Sequence, residues 1–298
     1  MGDSFVWKHS LKFNNSPVLP QEAIRALFVG ESGSGKTSLL YSWLLNGVLD
    51  FNRLYIFSNS IQQDLDKMLI LGFNYGFTKE ELLMIFSKLK HVKEKLPEEA
   101  IENLLKAKRH NNIETPIEKK VECFAYSDPE LILTPENYDK NYKNLFIFDD
   151  CHMDGRMKNI IAQFFTRGRH QNFQTIFLAQ DYFRVEKNGV RSNCNVIVLF
   201  DQNNASDVQN IYKQISKKDF REYRDFAGFC KQIWDQPWHY VLINKLATDM
   251  KLKYRDGLYE DKTDVNDDTE DEDDQGDISQ TESEEEEETF SHQEQDNE

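Results

Sequence analysis

The chain has 298 residues, 39% of them apolar, which is enough to bury the core of one large α/β domain or two small ones. Its formal charge of −16 is unevenly placed: residues 260–298 hold 20 of the 52 acidic residues and a single lysine, Lys262, for −19, which leaves +3 on the rest. No apolar run approaches the roughly 20 residues of a membrane span, and the first twenty residues mix Lys8, His9 and Lys12 with polar residues where a signal peptide would be continuously apolar. Cys123, Cys151, Cys194 and Cys230 form no Cys-x-x-Cys pair, so neither a zinc site nor a disulfide framework is supported. The expectation is a soluble, intracellular protein with reduced cysteines in its core.

After an N-terminal arm (1–20), residues 24–29 read as a buried strand. They run into Gly30-Glu31-Ser32-Gly33-Ser34-Gly35-Lys36-Thr37, which fits the phosphate-loop pattern G-x-x-x-x-G-K-[ST]. Residues 37–45 follow with apolar positions at Leu39, Leu40, Trp43 and Leu44, the spacing of a helix whose positive end faces the loop. A second strand is expected at 53–58. From 61 to 120 the text turns helical and mostly polar, around 82–96 and 98–109, and reads as a surface insertion. Further strands are expected at 121–126, 145–148, 174–179, 195–200 and 239–243, with helices at 155–165 and 206–215. Strands alternating with helices imply a mostly parallel sheet covered on both faces, with ligands at the carboxyl ends of the strands. Residues 21–258 are thus expected to form one P-loop α/β domain. Residues 259–298 lack an apolar period, contain the run Glu284 to Glu288 and read as a disordered acidic tail. Such a tail mimics nucleic-acid charge or docks a partner on one reading, and solubilises the chain on the other.

The chemistry follows from residue types in that order. Glycines and serines let successive backbone N–H groups point into one concavity that holds phosphate oxygens. The expected nucleotide-binding set is Gly30, Glu31, Ser32, Gly33, Ser34, Gly35, Lys36, Thr37 and Ser38. Within it Lys36 is a point charge for the β- and γ-phosphates, and the Thr37 hydroxyl is a ligand for Mg²⁺. The strand 145–148 delivers Asp149 and Asp150 at its carboxyl end, Asp149 to the metal and Asp150 to orient or deprotonate the attacking water. Gln180 ends the next strand, where its amide can touch both γ-phosphate and water. Arg167 and Arg169, flanking Gly168, are placed to stabilise charge on a phosphoryl group across a subunit boundary. Basic clusters at 88–95, 106–109, 119–120, 167–170 and 213–224, the last interleaved with Phe220 and Tyr223, suit non-specific contact with a phosphate backbone, although each cluster alone is more often a solvated helix face.

The phosphate loop, the strand ending Asp149-Asp150, the phrase Thr166-Arg-Gly-Arg-His170 before Ile176-Phe-Leu-Ala-Gln180, and Val190-Arg-Ser-Asn193 before 195–200 together resemble the FtsK/HerA superfamily of ring-forming DNA-pumping ATPases. Within it they are most similar to the poxvirus-type genome-packaging ATPases of large DNA viruses, virophages and related transposons. The resemblance spans about 20–245. It implies a RecA/FtsK/HerA-like fold, ATP with Mg²⁺, a homo-oligomeric ring, double-stranded DNA bound without sequence specificity, a viral capsid or portal-like partner, and action at the site of virus assembly in a host cell. It further implies that Gln180 senses the γ-phosphate and that Arg169 or Arg167 acts in trans, with Arg191 a further candidate. Asp150 stands where many relatives carry glutamate. A helicase-like or segregation motor of the same superfamily, or a P-loop switch or kinase that forms no ring, are the rival readings. ATP against GTP stays open, since Asn244-Lys245-Leu246 lacks the aspartate of a guanine-reading motif.

Overall fold

The computed structural model describes residues 15–58, 121–128, 131–151 and 155–258, all within the unit Met1–Tyr259. The expected insertion at 61–120 and the acidic tail lie outside the described residues, as do the basic clusters between 88 and 120. The strands are β1 (Arg25–Val29), β2 (Arg53–Ser58), β3 (Glu122–Tyr126), β4 (Asn144–Asp149), β5 (Phe173–Ala179), β6 (Val196–Leu199), β7 (Val241–Asn244) and β8 (Tyr254–Asp256). They form one sheet in the order β3-β2-β4-β5-β1-β6-β7-β8. The first six run parallel, and β7 and β8 close the sheet with antiparallel pairs. The apolar runs are continuous because both faces are covered.

Alternate residues feed two cores. Leu27, Val29, Phe146, Phe148, Ile197 and Leu199 face one side. There α2 (Gly155–Arg167) and α4 (Tyr223–Trp234) supply Ile160, Ile161, Phe164, Phe226 and Cys230. Ala26, Phe28, Ile147, Ile176, Val196 and Val198 face the other, against Leu40, Trp43 and Leu44 of α1 (Lys36–Leu45). Aromatic rings stack across three neighbouring strands: Phe124 on Tyr55 at 5.0 Å, Tyr55 on Phe146 at 4.8 Å, and in the next row Tyr126 on Phe57 at 4.9 Å and Phe57 on Phe148 at 5.4 Å. This rigid ladder ends at Asp149. All four cysteines are buried and free, and burial raises each thiol's pKa.

Three regions depart from the sequence expectation. The expected helix 206–215 divides into α3 (Ala205–Ile211) and a widened π turn, Tyr212–Ser216. Helix α4 was hidden in the basic cluster that runs to Arg224. Its signal is nevertheless present in the capping box of Glu222 with Asp225 and in the buried spacing Phe226, Cys230, Ile233. Phe220 and Tyr223, read beside that cluster as aromatic partners for nucleic acid, instead pack on the core, Phe220 against Phe226 at 5.3 Å and Tyr254 at 4.9 Å. The third departure is the pair α5 (Met250–Lys253) and β8, both too short to carry a period.

Candidate nucleotide site

The parallel strands put their carboxyl ends along one edge, and the strand order decides what meets there. β5 lies between β1 and β4, so Gln180 emerges between the phosphate loop and the aspartate pair. Gly30 begins the loop with its N–H on Ala179 O at 3.2 Å. A Cβ at Gly30 would lie 2.6 Å from Ser34 Oγ and 2.7 Å from Phe200 Cβ, so no side chain fits there without a shift. Gly35 closes the loop at φ 103° as the N-cap of α1, a conformation that L side chains rarely adopt. The loop is held as a cup. Lys36 is buried in it, its Nζ donating to Gly30 O at 2.6 Å and Glu31 O at 2.8 Å. Burial lowers the Lys36 pKa, while Asp149, Asp150 and Glu31 oppose that fall. Glu31, Ser32, Gly33 and Ser38 lie on the exposed rim and Thr37 is half-buried at the head of α1. The Ser34 hydroxyl oxygen is buried and makes no hydrogen bond within the protein.

Asp149 is the last residue of β4, and burial together with the neighbouring Asp150 charge raises it to about 6, against the opposing pull of Lys36. Asp150 turns out of the strand at φ 48°, a left-handed conformation tolerated by aspartate but uncommon, and its carboxylate is exposed. Gln180 Nε2 donates to Asp150 Oδ1 at 3.4 Å. The structure therefore brings Lys36, Asp149, Asp150 and Gln180 to one edge.

The arginines lie elsewhere. Arg167 ends α2 ahead of β5, at the opposite edge from Gln180, with the length of β5, about 20 Å, between them. It pairs there with Glu136 at 3.1 Å on the surface. Arg169 falls in the short 3₁₀ turn Gly168–Gln171 at that same edge, and its side chain is outside the described residues. Arg191 is 9% exposed and turned inward, with its guanidinium over Tyr182 at 4.7 Å and Phe183 at 5.3 Å and Nη1 donating to Gln214 Oε1 at 2.8 Å. It cannot extend to a neighbouring subunit without losing these contacts.

One residue beside the loop carries no motif in the sequence. Trp238 is 73% exposed at φ 67°, and a Cβ on Gly35 would come 3.4 Å from its Cε3. Its signal was the apolar ring of Pro237-Trp238, which fits no period of the flanking elements.

Residues 125–227 match the family model of the poxvirus A32 protein. The span includes Asp149, Asp150, Arg167, Arg169, Gln180 and Arg191, and agrees with the resemblance read from the motifs; the phosphate loop precedes it. No curated protein matches the chain. Among solved structures, the chain is similar to the genome packaging NTPase B204 from Sulfolobus turreted icosahedral virus 2 in complex with AMP, at 12% identity and a TM-score of 0.41, covering 75% of this chain and 92% of that one. It is also similar to the cytoplasmic domain of the Thermomonospora curvata type VII secretion ATPase EccC (11%, TM-score 0.37, 82% and 28%) and to VirB4 of Thermoanaerobacter pseudethanolicus (11%, 0.36, 75% and 87%).

Proposed function

We propose that this chain is an ATP-hydrolysing motor of the poxvirus packaging type, which drives double-stranded DNA into a viral capsid. One observation carries the reading: the phosphate loop, the Asp149-Asp150 pair and Gln180 converge on a single sheet edge because β5 is inserted between β1 and β4. The cradle suits phosphates: Gly35 takes the left-handed turn the loop needs at φ 103°, and the buried Ser34 Oγ has no hydrogen-bond partner among the described residues. In this reading the loop N–H groups and Lys36 bind and orient the triphosphate.

Among the described residues no group of three or more His, Cys, Asp and Glu side chains is placed to hold a metal. The Thr37 hydroxyl at the head of α1 and the Asp149 carboxylate at the end of β4 are oxygen donors of the kind that suits Mg²⁺, which takes few protein ligands and completes its shell with phosphate oxygens and water. Thr37 and Asp149 are the residues to hold it, and when bound it neutralises charge on the β- and γ-oxygens. Asp150, directed by its left-handed turn and joined to Gln180, orients or deprotonates the attacking water, and Gln180 links that carboxylate to the γ-phosphate. Trp238 offers a flat apolar face beside Gly35 for the nucleotide base.

The domain plan proposed is an arm at 1–20, one P-loop domain at 21–258 with an insertion at 61–120, and an acidic tail at 259–298. The proposed partners are duplex DNA without sequence specificity, a capsid or portal-like protein, and further copies of this chain in a ring; the proposed place of action is the site of virus assembly. Among the described residues no helix is long and apolar enough to cross a membrane.

The test is a turnover assay on the full chain with and without duplex DNA. DNA should raise the ATPase rate, Lys36→Ala should weaken nucleotide binding and abolish turnover, and Asp150→Asn should bind nucleotide yet lose hydrolysis. A rate indifferent to DNA favours the switch or kinase reading. Wild-type hydrolysis by Asp150→Asn removes water activation from that residue.

A further inference from the structure

A cleft of about 600 Å³ opens beyond the amino end of β6, where Lys245 N bonds Asn195 O at 2.8 Å, at the other end of that strand from the phosphate loop. Among the described residues that line it, seven are cationic and none is acidic. Lys187 and Arg191 come from the β5–β6 connection, Lys213, Lys217 and Lys218 from the π turn and the residues after it, and Lys245 from the end of β7. The seventh, Lys253, is already neutralised: it pairs with Asp219 at 2.8 Å. The other six make no ion pair among the described residues.

Clustered like charges repel, and solvated lysines tolerate this by spreading apart. Arg191, which is buried, and Lys245, which is half-buried, have less room to spread. Arg191 is nine-tenths buried, and among the described residues its Nε has no hydrogen-bond partner and no carboxylate answers its charge. An uncompensated buried charge is costly unless a counter-ion supplies the missing contacts. Burial lowers the Lys245 pKa, and Arg25 and Lys218 push the same way against Cys194. The π turn itself brings Lys213 and Lys217 to one mouth, as a widened turn shifts side chains off the 3.6-residue period.

We propose that this cleft is a second anion site, distinct from the nucleotide pocket, that takes phosphate groups either from a nucleic-acid backbone or from a free phosphorylated ligand. Cationic side chains at its mouth attract the anion, and the guanidinium of Arg191, stacked on Tyr182, offers a fixed planar donor within. The proposal stands apart from the nucleotide reading, since it uses no residue of that site.

The test compares Lys213→Gln/Lys217→Gln/Lys218→Gln, all exposed positions, with a control of equal charge change, Lys140→Gln/Lys158→Gln/Lys231→Gln, in the full chain. Inorganic pyrophosphate is titrated calorimetrically in a Lys36→Ala background, and a 20-base-pair duplex by fluorescence anisotropy at low and high salt. Equal thermal midpoints for the two triples establish that both are folded. The expected result is that the cleft triple binds at least one probe fivefold or more weakly than the control. Loss for the duplex, with displacement of pyrophosphate by duplex, assigns the backbone as the source; loss for pyrophosphate without displacement assigns a free ligand. Less than a fivefold difference for both probes overturns the proposal.

Discussion

At the scale of single residues, Asp149 shows how the site holds a charge its surroundings resist. Its pKa is raised to about 6 from 3.8, first by burial and then by Asp150. The native state therefore keeps a proton that the unfolded chain has lost, and the stability linked to this group falls as pH rises from about 4 to about 6. Asp149→Asn should leave stability unchanged near pH 3 and raise it by about 1–2 kcal/mol at pH 8, measured by urea titration, while cation-dependent turnover is lost. A variant less stable than the wild type at pH 8 contradicts this. In the wild type, cation affinity should fall about tenfold for each pH unit below 6, because the cation must displace the proton. Trp238 makes a separate claim. Trp238→Ala should weaken nucleotide binding about 3–10-fold with little change in kcat, the worth of one aromatic contact. An unchanged affinity would remove the ring from the base site.

At the scale of elements, the sheet edge is stiffened from behind by stacked rings. Phe146 is fully buried and touches Tyr55 at 4.8 Å, Phe164 at 4.6 Å and Phe173 at 5.0 Å, which ties β4 to β2, α2 and β5 at once. Phe146→Ala should cost about 3–5 kcal/mol by chemical denaturation. Phe124 stacks on Tyr55 from the exposed edge, and Phe124→Ala should cost less than about 1.5 kcal/mol. Equal costs would mean the ladder, and not burial, carries the energy. Strands β1, β2, β4 and β5 were legible because each is an apolar run of five to seven residues covered on both faces. Helix α4 is obscured in the sequence by the lysines and arginines before it, although its capping box and buried spacing mark it. The π turn was not legible, since nothing in 206–215 marks where a 3.6-residue period widens.

At the scale of the whole molecule, the two edges of the sheet carry different chemistry. The nucleotide edge holds the loop and the carboxylates, and Arg167 and the turn with Arg169 stand at the opposite edge, too far to serve their own subunit. In the proposed ring, a neighbour that presents its nucleotide edge would give them a catalytic use. Arg169→Ala, or failing that Arg167→Ala, should bind ATP but lose on the order of 10³-fold in rate. Mixing with Lys36→Ala subunits should restore part of the activity, because some interfaces then join an intact pocket to an intact arginine. No recovery at any ratio, with co-assembly verified, excludes a shared site. By itself the sequence determined the order of β1 to β7 with α1 and α2, the phosphate loop and the candidates Lys36, Asp149, Asp150 and Gln180, because glycine spacing, apolar runs and terminal carboxylates are local signals. Tertiary structure alone decided that β5 lies between β1 and β4 and so seats Gln180 against Asp150, that Trp238 reaches Gly35, that Arg191 faces inward, and that six cations from three connections line one cleft. Each of these depends on which strands pair, and pairing between segments distant in the chain leaves no periodic trace in either one.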